Sequence, residues 1–354
     1  MHDKNDVFDS RLISRINDDL ERFAQQWQND AAVATNEPVR AFCSVMLRGG
    51  KRLRGLLVMK SYFAHGGQDE EVALGAARVF EIIQTSLLVV DDIADRSKLR
   101  RGGPSAHIQL EEYARTRGMK GSAHHYGVVQ TMNAAYAGLH KSTTELLALP
   151  VSSEVAREAC ARFHENILTT INGQIDDIYN EATPELVSEA AITSVMERKT
   201  AHYSFLSPIE LGARLAGAEL APGLRDYSVH AGCAFQIVDD IIGTFGKEDE
   251  TGKGTNDDIT EGKLTLLAHH ALTHGSPEQV AVLRRVLGNE NATQEECDEV
   301  RRIFKATGAL EAAKRQLAVH EREALAALDS DETINPEFAQ YLRALGEYLL
   351  DRKA

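Results

Sequence analysis

Two aspartate clusters, each written into an apolar helical run, constrain this chain more than any other feature. The first is Asp91-Asp92-Ile93-Ala94-Asp95, entered through Ser86 to Val90; the second is Asp239-Asp240, entered through Ala234-Phe235-Gln236-Ile237-Val238. At ~3.6 residues per turn, Asp91 and Asp95 project from one helix face. On an open helix, like charges at that spacing cost a few tenths of a kcal/mol. In a cleft the repulsion grows to ~4 kcal/mol per pair at about 4 Å and an effective dielectric of about 20. A counter-charge has to offset it. Oxygen donors with no cysteine nearby, and with basic residues close in sequence, point to Mg2+ carrying phosphate oxygens. A merely solvated acidic face would not need the apolar residues that precede each cluster.

The rest of the chain supports a helical setting. Apolar residues recur at helical spacing through most of the 354 residues, and only 8 are proline. Leu12, Ile16, Leu20 and Phe23 form the stripe of an opening helix, and Val79 to Asp95 reads as a long buried one. Pro150 breaks the helix that Leu146 to Ala148 closes. Further helices are expected over 153–180, 186–219, 223–245, 260–273, 277–288, 294–307, 309–328 and 336–350. Gly246 to Gly262 reads as a charged, glycine-rich loop, and no alternating strand pattern stands out. The expected architecture is all-α, with residues 1–354 as a single domain.

Composition excludes several function classes. A net charge of -14 argues against general nucleic-acid binding. The four cysteines, Cys43, Cys160, Cys233 and Cys297, are too scattered for a zinc site or a disulfide framework. The polar start from Met1 to Asp9 is unlike a signal peptide, and no apolar run is judged long enough to span a membrane. A soluble, cytoplasmic protein is the expectation.

Basic motifs flank the aspartates. Gly49-Gly50-Lys51-Arg52-Leu53-Arg54 opens a helix, and Lys51 with Arg54 at i and i+3 can grip one anion. Arg100-Arg101-Gly102-Gly103 follows Asp95 closely. Those arginines either make plain salt bridges to the aspartates or share a diphosphate with the metal; the second reading is preferred.

These segments, in this order, resemble the trans-isoprenyl diphosphate synthases. The resemblance is carried by Gly50-Lys51-x-x-Arg54, Gln84, Asp91-Asp92-x-x-Asp95 and Arg100-Arg101-Gly102. It continues through Gly173-Gln174-x-x-Asp177, Lys199-Thr200-Ala201-His202-Tyr203-Ser204-Phe205 and Phe235-Gln236-x-x-Asp239-Asp240. Thr251-Gly252-Lys253 and Glu261-Gly262-Lys263 complete it, so the match spans roughly residues 45–265. The resemblance implies a helical bundle around a deep central cavity, in a homodimer. It implies head-to-tail 1'-4 condensation of isopentenyl diphosphate with an allylic diphosphate. By the same carry-over, Asp91 and Asp95 bind two Mg2+ from one wall and Asp239 a third from the other, with Asp92 and Asp240 shaping the field. Arg100, Gln174, Asp177, Lys199, Lys253 and Lys263 serve the allylic diphosphate; Lys51, Arg54, Gln84 and Arg101 serve isopentenyl diphosphate. Thr200, Tyr203 and Gln236 turn oxygen dipoles toward the allylic cation, and released diphosphate takes the final proton.

The chain departs from the family pattern in places. Gly243 stands where many members carry a third aspartate, and Lys247 where an acid is common. The stretch from His124-His125 to Asn133-Ala134-Ala135 lacks the Gly-Asp common near Met132, which bears on the dimer-facing helix. His124 and His125 read as a helix entry and not as metal ligands. The small Ser86 and Leu87 stand where a bulky aromatic usually stops growth at fifteen carbons. Ile83 and Phe80 follow on the same face, and Phe80 lies ~16 Å below Asp91 at about 1.5 Å per residue. That favours geranylgeranyl diphosphate, with farnesyl or longer products as alternatives. A class I terpene cyclase would not need Lys51, Arg54 and Gln84. A noncatalytic synthase subunit would have lost the aspartates.

Overall fold

A computed structural model of the chain describes residues 7–30, 35–183, 187–246 and 256–350. Their contacts group into two compact units, Met1–Arg162 with Pro208–Glu219, and Phe163–Ser207 with Leu220–Ala354. The first unit is built from α1 (Ser10–Asp30), α2 (Glu37–Leu47), α3 (Leu53–Ala64), α4 (Glu70–Ala94), α5 (Ala106–Thr116) and α6 (Ala123–Leu147). It also takes the start of α7 (Ser153–Ala182) and most of α9 (Ser207–Leu215). The all-α expectation holds.

Helix α4 carries the first aspartate cluster. Its start is set by Asp69, whose carboxylate accepts from the Glu71 backbone N–H at 2.8 Å, with Glu70 and Glu71 complementing the helix dipole. Phe80, Ile82, Ile83 and Val89 are 0–1% exposed, so the helix is core for most of its length. By length and composition α4 is apolar enough to cross a membrane, with a mean hydropathy of 1.5 over its most apolar window. That window is 78% buried inside the protein, so its apolarity serves the core. The backbone of α6 closes on α4 at Gly138: a Cβ there would lie 2.4 Å from Ser86 Oγ and 2.7 Å from the Phe42 ring.

Leu99–Arg100 (β1) and Gly103–Pro104 (β2) form an antiparallel hairpin pairing Leu99 with Pro104 and Arg100 with Gly103. Two-residue strands are too short to leave an alternating pattern in the sequence.

The second unit contains the rest of α7, then α8 (Glu189–Val195), a π-helical segment (Met196–Leu206) and α10 (Pro222–Phe245). It continues through α11 (Asp257–Glu261), α12 (Leu266–His274), α13 (Pro277–Val286), α14 (Gln294–Ala306), α15 (Ala309–Ser330) and α16 (Pro336–Leu350). Ser276 and Thr293 start α13 and α14 with reciprocal capping boxes to Gln279 and Glu296. The single helix expected over 186–219 is three pieces, because the π-segment widens the middle. Gly173 of α7 and Gly232 of α10 let two helices press on that segment: added Cβ atoms would lie 2.5 Å from Lys199 N and 2.3 Å from Ala201 Cα. The helix expected over 260–273 is likewise broken, at Gly262, whose φ of 79° ends α11.

Candidate functional site

The first unit assembles one half of the expected site. Asp91 and Asp92 sit in the last turn of α4 and Asp95 caps it. A helix C-terminus is the negative end of the dipole, so carboxylates there need compensation. Asp92 obtains it from Arg100: its side chain is wholly buried, accepts from Arg100 Nε at 2.6 Å and forms an ion pair with Nη2. Arg100 Nη2 also lies 3.8 Å from Asp91 Oδ2. Burial works against the Arg100 guanidinium, but Asp92, with Asp91 and Asp95 behind it, holds its pKa above the ordinary arginine value. The plain salt-bridge reading therefore describes Asp92–Arg100, while Asp91 and Asp95 remain partly exposed on their shared face.

The residues expected to hold isopentenyl diphosphate also come together. With its amide oriented to satisfy its neighbours, the Gln84 oxygen accepts from Arg101 Nη2 at 3.0 Å and from Arg54 Nη1 at 3.2 Å. Lys51 lies beside the Gly49-Gly50 turn, with its ammonium 5.5 Å from the Phe8 ring centroid. Sequence reasoning missed the strut beneath this turn. Arg52, in a left-handed conformation at φ 48°, is buried and donates to Glu81 Oε2 at 2.7 Å, Met46 O at 3.0 Å and Asn17 Oδ1 at 2.8 Å. That ion pair ties the basic turn to α1, α2 and α4.

In the second unit, Lys199 and Thr200 project from the π-segment. Lys199 Nζ meets Asp177 Oδ2 at 2.6 Å. Thr200 Oγ1 donates to Gln236 Oε1 at 2.6 Å, and Gln236 Nε2 donates to Asp240 Oδ1 at 2.7 Å. Lys263 Nζ lies 3.1 Å from Glu261 and 3.6 Å from Asp258. A cavity of about 80 Å³ opens here, lined by Asp177, Lys199, Thr200, Gln236, Asp240 and Lys263 among others. Desolvation, reinforced by Asp258 and opposed by Gln236 and Lys263, pushes Asp240 up to about 8. Asp258 is a second residue sequence reasoning missed. Its carboxylate fills the space beside Gly243, where a Cβ would lie 2.0 Å from Asp258 Oδ2. The aspartate absent from position 243 thus makes room for a carboxylate delivered from α11. The signal was present in Asp258-Ile259, just ahead of Glu261-Gly262-Lys263.

The donor set fits Mg2+. Among the described residues, no three His, Cys, Asp or Glu side chains are gathered as a closed metal cage. Mg2+ does not require one, since it takes one or two carboxylates and completes its shell with water and substrate phosphate. Lys247 and Lys253, with Thr251-Gly252, lie outside the described residues. Gln174 and Asp239 lie on α7 and α10, both half-buried. Among the chain-length residues, Phe80 and Ile83 are fully buried and Leu87 is half-buried. Ser86 donates to Ile82 O at 3.2 Å. Its small size also serves the close approach of Gly138.

Comparison with known proteins shows the family. The polyprenyl synthetase family profile matches residues 36–304. The chain belongs to that family. A geranylgeranyl diphosphate synthase of Saccharolobus solfataricus is 31% identical over 257 residues, covering 73% of each chain. An octaprenyl diphosphate synthase of Haemophilus influenzae is 29% identical, covering 86% of this chain and 85% of its own. In three dimensions the chain is similar to a geranylgeranyl pyrophosphate synthase of Corynebacterium glutamicum, solved with isoprenyl diphosphate and magnesium. That match has a TM-score of 0.89 at 31% identity, covering 97% of this chain and 99% of that one. This polyprenyl synthetase is therefore a prenyltransferase that condenses isoprenyl units.

Proposed function

We propose that this polyprenyl synthetase catalyses Mg2+-dependent 1'-4 condensation of isopentenyl diphosphate with allylic diphosphates, with geranylgeranyl diphosphate as product. The observation that carries the reading is the meeting of Gln84, Arg54 and Arg101 beside an aspartate cluster whose Asp91 and Asp95 are partly exposed. Asp91, Asp95 and Asp239 would hold three Mg2+ ions. The bound ions would neutralise the diphosphate of the allylic substrate as it departs. Lys51, Arg54, Gln84 and Arg101 bind isopentenyl diphosphate. Arg100, Lys199, Lys253 and Lys263, with Gln174 and Asp177, serve the allylic diphosphate. Asp177 holds the Lys199 ammonium in place, and the Thr200–Gln236–Asp240 chain fixes oxygen dipoles for the developing cation.

The relatives named as geranylgeranyl synthases favour a twenty-carbon product, as does the missing aromatic at Ser86. The octaprenyl synthase relative favours a longer one as the second reading. The whole chain acts as one catalytic domain in the cytoplasm; the first unit is completed only by residues 208–219, so neither unit is a separable segment. A homodimer is supported by the exposed apolar stripe of α6, where Val129, Met132, Tyr136 and Leu147 are 38–57% exposed. The deciding assay supplies labelled isopentenyl diphosphate and each allylic primer, with and without Mg2+, and separates products by length. A twenty-carbon product that disappears with chelation is expected. No product from any primer would sink the reading.

A further inference from the structure

We propose that Arg48 is the positioning residue for both arginines of the β1–β2 hairpin, and through them for both diphosphates. The inference rests on the site reading above, in which Arg100 serves the allylic diphosphate and Arg101 isopentenyl diphosphate. The hairpin itself is two residues per strand and cannot hold its place alone. Arg48, at the C-terminal end of α2, supplies a clamp. Its Nη1 donates to Arg100 O at 3.1 Å and to Pro104 O at 2.7 Å, so one guanidinium spans both strands. Its Nη2 donates to Ser44 Oγ at 3.0 Å, which fixes the side chain back onto α2.

The backbone of Arg48 completes the arrangement. Its carbonyl accepts from Arg101 Nη1 at 3.0 Å, while Arg101 Nη2 reaches the Gln84 oxygen shared with Arg54. Arg101 is held at φ 50°, a backbone conformation that side-chain-bearing residues seldom adopt and that needs outside support. Gly103 is the matching element. A Cβ there would lie 2.6 Å from Arg48 Nη1, so the hairpin leaves its second strand bare where the clamp passes. Arg48 thus joins the end of α2 to a hairpin whose first strand carries Arg100 and whose turn carries Arg101.

The test is a set of Michaelis constants with thermal midpoints, measured on full-length enzyme with Mg2+. The variants are Arg48→Gln, Arg48→Lys, Arg101→Gln, Gly103→Ala and the double variants with Arg48→Gln. Arg48→Gln is expected to raise KM for both substrates by roughly ten- to a hundredfold, the scale of an angstrom-sized misplacement. Arg48→Lys keeps the charge but lacks the fork, and is expected to behave in the same direction. If Arg48→Gln does not yield folded protein, Arg48→Lys carries the comparison. In the Arg101→Gln background, Arg48→Gln should change KM for isopentenyl diphosphate by no more than about twofold, because it acts through Arg101. Gly103→Ala should impair the wild type and be silent once Arg48 is Gln. A purely structural arginine would lower the thermal midpoint and leave these couplings absent. If Arg101→Gln raises KM but Arg48→Gln multiplies it in full, the clamp is refuted and the site reading stands. If Arg101→Gln leaves KM unchanged, the site reading falls and the clamp falls with it.

Discussion

Asp92 and Asp240 occupy equivalent places in the two aspartate clusters, each second of a pair near the C-terminal end of a long helix. They are held in opposite ways. Asp92 is sealed against Arg100, a cation that stays charged at every accessible pH. Asp240 has Gln236 as its direct partner, with Asp258 and Asp239 adding like charge and Lys263 opposing them, and its carboxyl is pushed up to about 8. Within the first cluster, Asp92 is therefore compensated by the protein itself. Asp240 is held as a raised acid by burial and neighbouring negative charge. A shared Asp-Asp signature does not imply a shared electrostatic state; the surrounding helices decide it.

The largest expected effect tests whether both clusters nonetheless serve one reaction. Asp91→Ala and Asp239→Ala should each lower kcat by about 10²–10³-fold, the scale of removing a stabiliser of transition-state charge. Near-normal turnover in both variants would remove the metal assignment from both clusters.

Asp92→Asn separates the two clusters by stability. It removes the nearest counter-charge of the buried Arg100 guanidinium and should cost ~3 kcal/mol in urea unfolding. Asp240→Asn should instead raise stability at pH 7, because asparagine is neutral in both states whereas Asp240 has to take up a proton on folding. Equal losses in the two variants would end the comparison.

The pH dependence follows with a defined sign. The folded Asp240 pKa is raised above the unfolded 3.8, so its contribution is fully present below about pH 4 and is lost as pH rises through about 8. Metal-free enzyme should lose up to about 1.4 kcal/mol of stability per pH unit in that window from this group, and Asp240→Asn should flatten the slope. Mg2+ binding should release a proton near pH 7, measurable by calorimetry in two buffers of different ionisation heat. An unchanged slope in Asp240→Asn would show that Asp240 is not the titrating group.

The smallest effects concern binding and product length. Lys51→Ala or Arg54→Ala should raise KM for isopentenyl diphosphate about tenfold and spare the primer, about 1.4 kcal/mol of binding. Lys199→Ala should do the reverse. Ser86→Phe should shift product toward farnesyl diphosphate, and Phe80→Ala should lengthen it. Because Gly138 and Phe42 close on Ser86, Ser86→Phe should also lower the thermal midpoint, by overpacking of ~1–3 kcal/mol. A destabilised enzyme with an unchanged product would assign Ser86 to packing alone.

The helices and the ordered motifs were legible in the sequence because both are local. Helical periodicity exposes the buried face of α4, and the spacing of Asp91 and Asp95 puts them on one side of it. The family resemblance pointed to Lys51, Arg54, Gln84 and Arg101, and the structure joins Gln84 to Arg54 and Arg101. What the sequence by itself could not determine depends on contacts between distant segments. Nothing in the apolar spacing marks the π-segment, which lies where Gly173 and Gly232 let flanking helices touch its backbone. Gly243 reads as a lost carboxylate until α11 is seen to deliver Asp258 into the space beside it. Arg48, Arg52 and Glu81 look like ordinary charged positions, yet their partners lie on other elements. Charge state is decided the same way: Asp92 and Asp240 are the same residue type in the same motif position. Burial and neighbouring charge, both properties of the folded chain alone, make one an ion pair and the other a raised acid.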